Sequence, residues 1–196
     1  RAKVLFFPDQ HLGRWTARTM GMAPDDMVVW DFDQPLGGLS EAALRRAKII
    51  LWKGFCSVHQ MFRPEHISEF RGKYPDGVVI SHPECCEEVC AMSDYVGSTD
   101  FIIKTIAAAP PNTRWLVGTE LNLVQRIAEE FKPEGKIIRF MSPMVCMCST
   151  MARIDPQHLA WCLESLADGE IVNQIKVPED DAAQAKIALQ RMLSCG

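Results

Sequence analysis

Short apolar runs alternate with stretches of helical period along most of the chain. Val4-Leu5-Phe6-Phe7, Met27-Val28-Val29-Trp30, Ile49-Ile50-Leu51-Trp52, Val78-Val79-Ile80, Trp115-Leu116-Val117 and residues 136–140 read as buried strands. Residues 172–177 predict a last one. Helices are expected between them, over 12–20, 64–73 and 87–92, and onward from Gly97-Ser98-Thr99. Leu121, Val124, Ala128 and Phe131 mark another at 3.6 spacing. Asp155-Pro156 opens a helix whose apolar stripe of Leu159, Cys162, Leu163 and Leu166 predicts a core-facing Cys162. A C-terminal helix carries Ala185, Leu189, Met192 and Leu193. Residues 31–40 hold two Gly and a Pro and read as a loop, and Ser40 caps a short helix after it.

Strands and helices alternating in this way predict an α/β fold with parallel sheets. A boundary near residue 58 would divide the chain into 1–57 and 58–196. Three strands end in an acid just before a helix: Phe7-Pro8-Asp9, His82-Pro83-Glu84 and Gly118-Thr119-Glu120. Ligands of open α/β sheets sit at the carboxyl ends of strands. The plain alternative is that such acids only complement helix N-termini.

Composition narrows the function classes. Apolar residues make up 47% and charged residues 23% of the 196, which is ordinary globular usage and argues against disorder. A net charge of −4 argues against a nucleic-acid partner. No run of 18 apolar residues occurs, so no membrane-spanning helix is expected. The chain begins Arg1-Ala2-Lys3 with no Met and no signal peptide, which reads as a fragment or processed product of a cytoplasmic protein. Eight cysteines in a chain of this length then read as thiols, some buried and some available to metal.

Four motifs carry candidate chemistry. Gly54-Phe55-Cys56-Ser57-Val58-His59 presents a thiol at a strand end with a His three residues on. A lone buried thiol beside a surface His explains the same residues. Ser81-His82-Pro83-Glu84 offers a stiffened His and carboxylate able to hold a carboxylate substrate and move a proton, or simply a solvated turn. Gly97-Ser98-Thr99 would suit an anion at a helix start, or a plain N-cap. In Val145-Cys146-Met147-Cys148 only one Cys is expected to ligate, since adjacent-but-one thiols rarely share a compact site. Cys85, Cys86 and Cys90 lack the second Cys pair of a zinc knuckle.

At these motifs the sequence resembles the quinolinate synthase family, the A protein of bacterial NAD biosynthesis. The matching stretches are PDQHLGR (8–14), GFCSVHQMF (54–62), HPEC (82–85), DYVGST (94–99), VGTE (117–120) and VCMCSTMARIDPQHL (145–159). The resemblance implies three similar α/β/α domains about a pseudo-threefold axis, each giving one Cys to a central 4Fe–4S cluster. It implies a transferase that condenses iminoaspartate with dihydroxyacetone phosphate to quinolinate, phosphate and water. One iron, left open by three thiolates, would act as a Lewis acid.

Carried over by position, Cys56 and Cys148 match cluster ligands. Cys148 is preferred because Met151 follows it at the family's spacing, and Cys146 is the runner-up. His82, Pro83 and Glu84 match the substrate-binding HPE, and Ser98 and Thr99 match an anion contact. His59 faces the active site by the same resemblance. Glu84, with His82 and His59, is expected to be catalytic. L-aspartate oxidase is an expected supplier of the imine. The family's third cluster Cys has no match here. The resemblance therefore implies the C-terminal two-thirds of the enzyme, inactive by itself. Competing readings are an α/β dicarboxylate-binding module without a cluster, and a zinc lyase using Cys85, Cys86 or Cys90 with His82.

Overall fold

The computed structural model describes residues 3–144 and 148–194. The chain runs β1 (Val4–Phe6), α1 (Gln10–Thr19), β2 (Met27–Trp30), α2 (Glu41–Arg46), β3 (Ile49–Trp52), α3 (Pro64–Lys73), β4 (Val78–Ser81), α4 (Glu87–Met92), β5 (Tyr95–Val96), α5 (Thr99–Ala108), β6 (Arg114–Gly118), α6 (Leu121–Phe131) and β7 (Ile137–Phe140). Then follow α7 (Pro156–Ala167) and α8 (Glu179–Leu193). Residues 1–149 form one compact unit and 150–196 another.

The first unit holds two sheets, and every pairing in them is parallel. One has the order β1-β3-β2 and the other β5-β4-β6-β7. Residue 58 lies in the connection between them. The fold is thus the expected α/β class. Side chains alternate across the four-stranded sheet with the period of two that a strand imposes. Val79 and Leu116 point to one face, where Ile67 and Phe70 of α3 and Val89 of α4 complete a core. Ile80, Trp115 and Val117 point to the other, against Ile102 and Ile106 of α5 and Val124, Ile127 and Phe131 of α6. Helices on both faces make three layers. On the smaller sheet Ile49 and Leu51 of β3 pack with Ala17 of α1. Arg18 of α1 pairs with Glu87 of α4, linking helices that belong to different sheets.

Helix ends are tied down by local side chains. Ser40, Ser98 and Asp155 cap α2, α5 and α7 through their own oxygens, accepting amides three residues on. Two lysines cap C-termini. Lys3, just before β1, donates to the carbonyls of Leu44, Arg45 and Ala47 at 2.6–2.7 Å. Lys136, just before β7, donates to Ile106 and Ala107 at 2.8 and 3.1 Å. Its fully buried ammonium also meets Glu134 at 2.8 Å and lies over the Phe131 ring.

Two expectations need correction. Residues 172–177 form no strand, because Asn173 has a left-handed φ of 55° that interrupts the extended run. The α7 stripe is not a core: Leu159, Leu163 and Leu166 are exposed, and Cys162 is only partly covered. No helix among the described residues is long and apolar enough to cross a membrane.

Lys136→Met removes a buried charged donor while leaving the α5 carbonyls in place. Its expected cost is about 2 kcal/mol, read as a lower denaturant midpoint.

Candidate active site

Of the three strand-end acids, two cap helices. Asp9 accepts the Leu12 amide at 2.8 Å and Glu120 accepts the Leu123 amide at 3.2 Å. Glu84 does not: α4 starts three residues later, at Glu87, with Cys86 at its cap position. The carboxylate of Glu84 instead lies 3.1 Å from Nδ1 of His59 and 3.7 Å from Nδ1 of His82. Helix capping thus describes Glu120 and one oxygen of Asp9, and fails for Glu84.

The opposite wall comes from the loop after β3, which is bound to the loop after β1. The Gln10 amide donates to the Gly54 carbonyl at 3.0 Å. The second carboxylate oxygen of Asp9 accepts the Cys56 amide at 3.1 Å. A Cβ on Gly54 would lie 1.9 Å from the Pro8 carbonyl oxygen, so only glycine lets the two loops approach this closely. Asp9 is itself buried, and it holds the thiol-bearing loop and the start of α1 together.

Cys56, His59 and Glu84 each bring one donor atom into a group whose members lie within 4.8 Å of one another. His59 is 6% exposed and its ring stacks on that of His82, centroids 4.9 Å apart. Neither His59 nitrogen has an aligned hydrogen-bond partner, so its contact with Glu84 is one of charge and distance. Burial works against a charged His59. The adjacent Cys56 sulfur and Glu84 carboxylate outweigh it, and the imidazolium persists to about pH 9. The same neighbour, His59, holds both the Cys56 thiol and the Glu84 carboxyl below their ordinary ranges. His82 moves the other way: burial, helped by the His59 charge, keeps it neutral at lower pH than usual.

The remaining predicted residues fall around this group. Pro83 is buried, and the His82 amide donates to the Gly118 carbonyl at 2.9 Å. The Gly97 amide donates to the Ser81 carbonyl at 3.1 Å, which sets Ser98 and Thr99 beside the His82–Glu84 turn at the same end of the sheet. Ser98 caps α5, and Thr99 is exposed in its first turn. Cys148 is half-buried and packs on the same apolar cluster as Cys56. Cys146 and Cys195 lie outside the described residues. The thiols of Cys85 and Cys90 belong to the core, where burial raises the first well above its usual range and pushes the second up to about 12. Among the described residues, no group of donors joining Cys85, Cys86 or Cys90 to His82 is close enough to share a metal ion. Asp9 and Gly54 were visible only as parts of motifs, and nothing in the local pattern announces the bond between residues 9 and 56.

This arrangement can be set against known proteins. The chain matches the family model described as Quinolinate synthetase A protein over residues 1–194. It belongs to the quinolinate synthetase A protein family. Three relatives, each named quinolinate synthase, come from Streptomyces coelicolor (53% identical over 98% of this chain and 49% of theirs), Acidobacterium capsulatum (52%, over 97% and 51%) and Corynebacterium glutamicum (52%, over 98% and 48%). The chain thus spans about half the length of these relatives.

In metal-free protein, alkylation of Cys56 should follow its thiolate. Its half-maximal rate should fall below the free-thiol value of about 8.5. His59→Ala should move that midpoint back upward, as peptide mapping across a pH series would read.

Proposed function

We propose that this chain carries cluster-binding and substrate-binding parts of a quinolinate synthase, which condenses iminoaspartate with dihydroxyacetone phosphate to give quinolinate, phosphate and water. The observation that carries the reading is the meeting of Cys56, His59 and Glu84 at the carboxyl ends of β3 and β4, in a chain of this family. The donor chemistry suits a 4Fe–4S cluster. Cys56 has its thiolate favoured by His59, and the thiolate is the form that binds iron. Cys56 and Cys148 would hold the cluster, with Cys146 the runner-up and the third thiolate supplied from outside this chain. When bound, a cluster with one open iron supplies a Lewis acid for loss of water.

The chain's own residues supply binding and proton movement. Glu84, held ionised by His59, accepts protons that iminoaspartate loses as the ring forms. His59, charged at neutral pH, returns a proton to a departing hydroxyl. His82 stays neutral and holds or polarises a substrate carbonyl. Pro83 stiffens the turn that aims His82 and Glu84. Ser98, Thr99 and the free amides opening α5 hold a substrate carboxylate or the phosphate. The imine is unstable in water, so a neighbouring L-aspartate oxidase is the proposed supplier.

In the anaerobically prepared holoenzyme, Glu84→Gln should lower kcat by about 10² or more with iron content unchanged. Cys56→Ser and Cys148→Ser should each lose iron together with the visible absorbance of the cluster. Full iron retention in both cysteine variants would overturn the ligand assignment.

A further inference from the structure

We infer that Cys56, His59 and Glu84 also form a mononuclear site for a divalent transition-metal ion such as Zn²⁺, which competes with the proposed cluster for Cys56. Three kinds of donor meet here: a thiolate, an imidazole nitrogen and a carboxylate oxygen. That set, completed by one water, is the three-ligand pattern of zinc sites that keep an open position. Among the described residues it is the group of His, Cys and acidic donors close enough to share an ion.

Distances favour it. Donors around a tetrahedral zinc stand about 3.5 Å apart, from metal–ligand bonds of about 2.0–2.3 Å. His59 Nδ1 and Glu84 Oε2 are already 3.1 Å apart, and the whole group spans no more than 4.8 Å. A contraction of about 1 Å at the widest pair would bring all three onto one ion. A second, independent observation points to a ligand. Both nitrogens of the buried His59 ring lack an aligned hydrogen bond, an arrangement rare for buried polar atoms, and a metal would engage one of the two. The other buried thiols stay out of the site. Cys85 Sγ faces the Gly118 carbonyl, and Cys90 Sγ faces those of His82 and Cys85.

The two metal centres share Cys56 but differ elsewhere. The mononuclear site uses His59 and Glu84 and does not need Cys148. Binding of the ion displaces the protons on the thiol and imidazole into solvent. A chain so loaded has its cluster cysteine blocked and its proposed base coordinated. Zinc would therefore prevent cluster assembly rather than support turnover.

The test is anaerobic titration of the metal-free, reduced 196-residue chain with Co²⁺, followed by Zn²⁺. One equivalent of Co²⁺ should give tetrahedral d–d bands with a sulfur-to-cobalt charge-transfer band, and Zn²⁺ should displace it, as the stability order of these ions requires. Cys56→Ser should abolish the charge-transfer band. His59→Ala and the shape-conserving Glu84→Gln should each weaken Co²⁺ binding about tenfold or more, with circular dichroism confirming that each variant folds. Cys148→Ser should leave affinity within twofold. Octahedral spectra, or binding that depends on Cys148 and not on His59, would overturn the site. Neither result depends on whether an iron–sulfur cluster can be assembled.

Discussion

A carboxylate with no helix to cap is what the site is built around. Acids at strand ends usually find partners in the free amides of the next helix, and Asp9 and Glu120 do so here. Glu84 is denied that partner because α4 begins beyond it, after a buried proline. It is left half-buried beside an imidazole that has no aligned hydrogen bond of its own. In a partly water-excluded setting the two charges stabilise each other, and the Cys56 sulfur joins them on the other side. The altered proton affinities of all three groups follow from that one juxtaposition.

The scaffold makes the juxtaposition durable. Glu84 and His82 sit at the end of β4 in the larger sheet, while Cys56 and His59 sit beyond β3 in the smaller one. Two hydrogen bonds and the bare backbone of Gly54 bind the Cys56 loop to the loop after β1. Val58 and Phe62 then anchor it from below, in the core that also holds Val79 of β4 and Val89 of α4. The thiol and the carboxylate thus sit a few residues beyond strand ends, on short loops that the scaffold anchors, the placement that precise chemistry needs.

Much of this was legible in the sequence, for reasons that can be named. Strands are short apolar runs, and α3 and α4 begin and end where Pro64, Glu87 and the flanking residues predict. Ser40, Ser98 and Asp155 act as the caps their positions suggest. The motifs around Cys56 and His82 were visible as motifs, and family resemblance ordered them. What local pattern does not encode is pairing across distance. The bond from Asp9 to Cys56 joins residues 47 apart, and the contact of His59 with Glu84 crosses from one sheet's loop to the other's. The expected strand at 172–177 failed because alternation of apolar residues says nothing of backbone handedness at Asn173. The α7 stripe shows that an apolar period marks a face without showing what covers it.

The mutual hold of Cys56, His59 and Glu84 is tested most directly by following the ring nitrogen resonances of His59 through a pH series in metal-free protein. The expected result is an imidazolium that survives past the ordinary histidine range and loses its proton only at about 9, with the midpoint falling in both Glu84→Gln and Cys56→Ser. A His59 that titrates near 6.5 and ignores both substitutions would contradict it.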